Sequence, residues 1–151
     1  MTITSGVHIP QLTEFAQKNH LRLPEDYRDF LVRFDGGAPH PKASWVATLK
    51  DYVLVDYLFG ITRSRPLNLQ FWLDEYRDEM PPGFLIVGKD PGGAFFILDA
   101  GEAQTGVYLW DHQHRYPGSS EEDGNTFLLA GAFSTWINSL CELPDANTDK
   151  A

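Results

Sequence analysis

Residues 23–37 read Leu-Pro-Glu-Asp-Tyr-Arg-Asp-Phe-Leu-Val-Arg-Phe-Asp-Gly-Gly, and this stretch spells one helix with its start and its stop. Pro24 suits a first helical turn, where its missing N–H would be unpaired anyway. Glu25 and Asp26 follow, in the turn where the helix dipole favours negative charge. Tyr27, Phe30, Leu31 and Phe34 recur at i, i+3, i+4 and i+7, which makes a single apolar stripe. Gly36-Gly37 is expected to end the helix, because glycine readily takes the left-handed cap conformation.

Working outward, three more segments carry helical spacing. Ile9 to about Asn19 places Leu12, Phe15 and Ala16 on one face. Leu69, Trp72, Leu73 and Tyr76 repeat the stripe, with Asn68 as N-cap and Pro81-Pro82 blocking continuation. Phe133, Trp136, Ile137 and Leu140 repeat it near the C-terminus. Between them lie strand-like runs at Tyr52–Phe59, Phe84–Val87, Ala94–Leu98 and Val107–Trp110, with Trp45–Leu49 as a further candidate. The connections Lys89–Gly93 and Asp99–Gly106 are too short for a parallel crossover, so the last three strands should form an antiparallel meander. The fold class expected is α+β: a mostly antiparallel central sheet flanked by N-terminal helices and a closing C-terminal helix. Tyr27, Phe30, Phe34, Trp72, Tyr76, Phe133 and Trp136 are expected to be mostly buried.

The chain has 151 residues, 42% of them hydrophobic and 13% aromatic. That is one ordinary domain able to bury its own core, expected over residues 1–151 with a frayed tail at about 144–151. The one cysteine, Cys141, cannot form an internal disulfide and reads as a small buried hydrophobe. The N-terminus lacks a basic run followed by an apolar stretch, and no run approaches the ~20 residues of a membrane span. A cytoplasmic location is expected. Of the net charge of −9, nearly all falls in residues 74–123, where eleven acidic residues meet three basic ones. Such a surface would repel nucleic acid and anionic membrane and attract a basic protein; the competing reading is that the acidity only aids solubility.

Chemistry-bearing patterns are few. His112 and His114 next to Asp111 form a His-x-His pair that could reach one metal if other ligands came from elsewhere; the competing reading is an exposed loop pair. Asp90, Asp99 and Asp111 stand at strand ends, where paired carboxylates could do acid–base work, but Asp is also an ordinary turn residue. Gly36-Gly37 and Gly92-Gly93 lack the sequence of a phosphate loop or a dinucleotide fingerprint. Glu121-Glu122-Asp123 lacks the alternating ligands of a calcium loop and reads as a solvated loop or part of an acidic contact surface.

Four blocks in order carry a resemblance to a known family. LPEDYRDFLVRFDGG resembles the signature of the SUKH superfamily through Leu23, Pro24, Tyr27, Phe30, Leu31, Gly36 and Gly37. IVGKDPGGAFFILD resembles its glycine- and Asp-bearing hairpin, VYLWDH the strand that follows, and the stretch around Phe133 and Trp136 the closing helix. Asp35 stands where the family often has Asn, and Ala94 where a polar residue often follows the glycines. The resemblance implies an α+β domain with a mixed, mostly antiparallel sheet. Bacterial members are commonly immunity proteins that bind and neutralise toxins, many of them nucleases, whereas related fungal proteins act in cell-wall synthesis and signalling.

The expected function is therefore non-enzymatic: binding of a cognate, basic toxin domain, with no cofactor, no metal, no nucleic acid and no membrane. The alternatives are a scaffold domain in envelope signalling and a metal-assisted hydrolase using Asp111, His112 and His114. The candidate partner-binding residues are Asp90, Asp99, Glu102, Asp111, Glu121, Glu122 and Asp123.

Overall fold

The computed structural model describes residues 6–100, 106–111 and 126–144. Helix α1 spans Ile9–Lys18, with Pro10 in its first turn and Leu12 and Phe15 buried. It ends at Asn19, whose side-chain amide turns back to the Phe15 carbonyl at 2.9 Å. Helix α2 spans Glu25–Phe34 and buries Tyr27, Phe30 and Leu31. Its left-handed cap is Asp35, at φ 47°, and not the glycine pair. Asp tolerates that conformation better than most residues. The glycines serve a different purpose. Gly36 has φ 89°, and an added Cβ there would collide with the Leu58 carbonyl oxygen. Gly37 then exchanges two backbone hydrogen bonds with Leu58, both 2.8 Å, so the pair seats the end of α2 directly on a strand.

Two antiparallel sheets follow. β1 (Ala43–Val46) and β2 (Asp51–Leu54) form a hairpin. β3 (Tyr57–Leu58), β4 (Phe84–Lys89), β5 (Phe95–Asp99), β6 (Val107–Trp110) and β7 (Thr126–Ala130) make a five-stranded sheet in sequence order. The predicted meander is present, with Ile97 of β5 opposite both Ile86 of β4 and Tyr108 of β6. The run Tyr52–Phe59, expected as one strand, is two. The Val55 N–H bonds Lys42 beside β1, whereas the next N–H, of Asp56, bonds Lys89 of β4. The chain changes partners there and passes between sheets. The candidate strand Trp45–Leu49 is shifted to Ala43–Val46, because residues 47–50 make the hairpin turn. Strand β7 was not anticipated.

Helix α3 (Leu69–Tyr76) starts at the expected cap: the Asn68 side-chain oxygen accepts from the Phe71 N–H at 3.0 Å. A 3-10 turn, Arg77–Glu79, carries it to the prolines. Helix α4 spans Phe133–Ser139. No side chain of its own caps its start; Asp26 of α2 does so, accepting from the Ser134 N–H at 2.8 Å.

Successive residues of β5 face opposite sides, as strand geometry requires. Phe95 meets Trp72 and Tyr76 of α3, with centroids 5.2 and 4.9 Å apart. Phe96 meets Trp136 of α4 at 5.1 Å. Helices therefore cover both faces of the sheet. Phe133 joins α4 to α2 through Tyr27 at 4.7 Å and Phe30 at 5.0 Å. Four expected core aromatics are buried: Tyr27, Phe30, Phe133 and Trp136. Phe34, Trp72 and Tyr76 pack against the core but are only half-buried. Trp72 remains at the rim because its indole N–H donates to the Pro66 carbonyl at 2.6 Å. Cys141 is half-buried, with a free thiol, and its backbone bridges Ala43. Among the described residues no helix is long and apolar enough to cross a membrane.

Candidate functional site

Strand register decides which of the candidate residues share a surface. Lys89 at the end of β4 lies opposite Phe95 at the start of β5, and Phe95 lies opposite Trp110 at the end of β6. Asp90 and Asp111, the next residues, therefore sit at the same end of the sheet. One strand separates them, or roughly 10 Å at ordinary strand spacing. Thr126, where β7 begins, pairs with Trp110, so the chain leaves and re-enters the sheet at this edge. Asp99 lies opposite Phe84, at the other end of β5. The five residues of that strand put it roughly 14 Å away. Asp99 thus does not share an edge with Asp90 and Asp111, and it is too far from them to form a carboxylate pair. Glu102, Glu121, Glu122, Asp123 and the pair His112 and His114 lie outside the described residues.

The Asp90 carboxylate is partly engaged in shaping its turn. Its Oδ1 accepts from the Ala94 N–H at 2.7 Å, while the Asp90 N–H donates to the Ala94 carbonyl at 2.9 Å. This is the turn chemistry that short polar side chains favour. Asp56, at the same edge, was not singled out from the sequence. It pairs with Lys89 at 3.0 Å, and both groups remain partly exposed.

An aromatic line runs to this edge beneath α3. Phe59 stacks on Trp72 at 5.6 Å, and Tyr76 meets Phe95 at 4.9 Å and Trp110 at 5.8 Å. Burial, followed by the negative charges of Glu79 and Glu75, pushes the Tyr76 phenol pKa up. Those two exposed carboxylates therefore lie close to Tyr76. Glu75 and Glu79 belong to the acidic segment of the sequence but not to the candidate partner-binding residues. The i, i+4 spacing of Trp72 and Tyr76 was the available signal for the aromatic part.

A second feature surrounds Asp35, which is fully buried. Its carboxylate accepts from the Ile61 N–H at 2.6 Å, the Thr62 N–H at 3.1 Å and the Thr62 hydroxyl. Its carbonyl accepts from Arg63 Nε at 3.3 Å. Gly60 passes so close that a Cβ there would strike the Asp35 carbonyl. Asn68 holds the other side of this loop, donating to the Ile61 and Arg63 carbonyls at 3.0 and 2.7 Å. All these bonds are internal, so the Asp35 carboxylate works as a brace for residues 60–68.

A cleft of about 280 Å³ opens between α2 and α4. Phe30, Phe34 and Phe133 line it, with Asp29, Arg33 and Asn138 also on its wall. The ring lining suits an apolar side chain of a partner.

Comparison with known proteins adds two findings. The SMI1 / KNR4 family (SUKH-1) matches residues 6–139. The chain is also similar to the SPbeta prophage-derived uncharacterized protein YokK of Bacillus subtilis (strain 168), at 25% identity over 151 residues, covering 89% of this chain and 74% of that protein.

Proposed function

We propose that this chain, which belongs to the SMI1 / KNR4 family (SUKH-1), acts without catalysis as an immunity protein that binds and neutralises a bacterial toxin domain. The observation that carries the reading is the family match across residues 6–139, since bacterial members commonly have this role. Fold alone does not fix function, so the surface has to supply the rest. The edge bearing Asp90 and Asp111 supports it. Acidic groups stand there beside a packed aromatic line ending in Tyr76 and Trp110. Buried aromatics with a charged rim are what protein interfaces use as anchors and steering groups.

The proposed partner-binding set is Asp90 and Asp111 with Glu121, Glu122 and Asp123, which lie in the sequence between the described residues Asp111 and Thr126. Asp99 lies at the opposite end of β5 and would need a separate contact, and Glu102 lies outside the described residues. A basic toxin, such as a nuclease that holds phosphate, would be drawn to this edge by long-range attraction. The test is co-expression with a toxin-bearing neighbouring gene product. Rescue of growth together with a co-purifying complex is the expected result. Growth arrest undiminished by this chain, with no complex formed, would refute the pairing.

A further inference from the structure

A groove runs between α1 and α2. One cleft of it, about 280 Å³, is lined by the buried Leu12, Leu21 and Leu23 and by the exposed Gln17, Arg22 and Arg28. A second cleft, about 400 Å³, shares Leu12, Leu23 and Arg28 and adds Ile9, Val32, Glu25 and Asp29. Ile9 and Val32 are exposed there, at 60% and 38%. The local sequence sets this arrangement. In the link between the helices Leu21 and Leu23 are buried while Arg22, between them, is exposed. The Arg22 N–H donates to the Ala100 carbonyl at 3.1 Å, which fixes that end of the groove beside the end of β5, away from Asp90 and Asp111. Arg28 stands off the Tyr27, Phe30 and Leu31 stripe of α2. Among the described residues neither guanidinium takes part in an ion pair or a hydrogen bond.

We propose that this groove binds an extended acidic peptide segment of a protein partner, with a carboxylate at Arg22 and Arg28 and apolar side chains over Leu12, Leu23, Ile9 and Val32. Charge complementarity carries the argument. On a chain of net charge −9, the first cleft has two cations and no anion on its described wall. It is where an acidic ligand is drawn rather than repelled. A guanidinium fork matches the two oxygens of a carboxylate, and the leucines beneath give the neighbouring residues an apolar floor. Glu25 and Asp29 in the second cleft set the polarity of the occupant. They repel a carboxylate from the Ile9 end, so the acidic residue lies toward Arg22 and the apolar ones toward Ile9 and Val32. The wall of α1 from Ile9 to Gln17 is about 12 Å long, at the ordinary helical rise. An extended chain covers that length with roughly four residues. This surface is separate from the acidic edge and selects the opposite charge.

An NMR titration of the isotope-labelled chain tests this, with two probes: the acetylated and amidated tetrapeptide Glu-Leu-Val-Leu and its reverse. At least one should shift the amide signals of residues 9–32 selectively, with a Kd of roughly 0.1–1 mM, as suits so small a contact. Exchanging its Glu for Gln should weaken binding about tenfold, the loss of one charge-assisted contact. Arg22→Glu should weaken the Glu peptide at least as much. Arg22 is exposed, so that variant should keep its fold, as judged by circular dichroism and melting temperature. Ile9→Ser should weaken binding several-fold, by a factor that added salt leaves unchanged. Silence of these signals toward both peptides at about 5 mM would overturn the proposal. Equal binding of the Gln peptide, or undiminished binding to a folded Arg22→Glu chain, would overturn it as well. So would inorganic phosphate binding there as tightly as the peptide, which marks a bare anion site. None of these readouts depends on a toxin, so the immunity reading stands or falls separately.

Discussion

Replacing Asp35 is the sharpest perturbation this structure offers. The side chain is fully buried and accepts three hydrogen bonds, two from backbone N–H groups of Ile61 and Thr62 and one from the Thr62 hydroxyl. Bonds to a charged group are worth about 1.5–3 kcal/mol each. Thr62 is exposed, so its hydroxyl and part of its amide can turn to water, and Ile61 is half-buried. Relief of the buried charge offsets part of the loss. Alanine must also adopt φ 47°, which costs about 1–2 kcal/mol outside glycine, Asn and Asp. Asp35→Ala should therefore lose about 3–4 kcal/mol in urea unfolding. Asp35→Asn keeps one acceptor for Ile61 and tolerates the left-handed backbone, so its loss should be about 1–2 kcal/mol. Asp35→Gly removes the strain but not the missing bonds, and should fall between them. A loss below about 1 kcal/mol for Asp35→Ala, or equal losses for alanine and asparagine, would refute the brace.

Phe30 is 7% exposed and packs on Tyr27, Phe34 and Phe133, so Phe30→Ala should cost about 3–5 kcal/mol in the same assay; a loss under about 1 kcal/mol would mean the site collapses around the gap. The buried Tyr27 hydroxyl has no hydrogen-bond partner among the described residues, so Tyr27→Phe should change stability by less than about 1 kcal/mol at neutral pH. Burial and then Asp35 raise the Tyr27 pKa, so above about pH 10 the unfolded chain releases that proton while the folded chain retains it; stability then falls by up to roughly 1.4 kcal/mol per pH unit, a slope Tyr27→Phe should flatten and that equal slopes would contradict. Asp111→Lys should slow association with a basic partner at low salt, whereas Asp99→Lys, at the opposite end of the sheet, should leave the rate unchanged; stopped-flow rates that fall equally for both would show that the edge is not selective.

Much of the fold was legible because its signals are local. The stripe Tyr27–Phe34, the Asn68 cap and the short link at Lys89–Gly93 each depend on residues a few positions apart. What escaped depends on distant partners. Nothing between Tyr52 and Phe59 marks the change of sheet, since Val55 and Asp56 differ only in which strand receives their N–H groups. The cap of α2 was misplaced by one residue. Glycine is the usual left-handed residue, but here the two glycines were needed for close approach to Leu58, and Asp35 took the cap because its side chain had a role on the far side. The rim position of Trp72 likewise follows from the Pro66 carbonyl, which no helical periodicity reveals.

Where Asp90, Asp99 and Asp111 stand relative to one another was legible in a way the charge count obscured. Clustering along residues 74–123 suggested one acidic face, yet charge along a chain becomes charge on a surface only through topology. A meander reverses direction at every turn, so the ends of successive strands alternate between the two edges of the sheet. Asp90 follows β4, Asp99 ends β5 and Asp111 follows β6. Once those strands are antiparallel neighbours, the first and third must share an edge and the second must lie at the other. The short links 89–93 and 99–106 already implied that geometry. The same topology puts Thr126 at the Asp90 edge. It also brings Asp56 to that edge, because Asp56 bonds Lys89, the residue before Asp90. An acidic partner surface on this chain is therefore best sought where β4 and β6 end and β7 begins, with Tyr76 and Trp110 as its apolar floor.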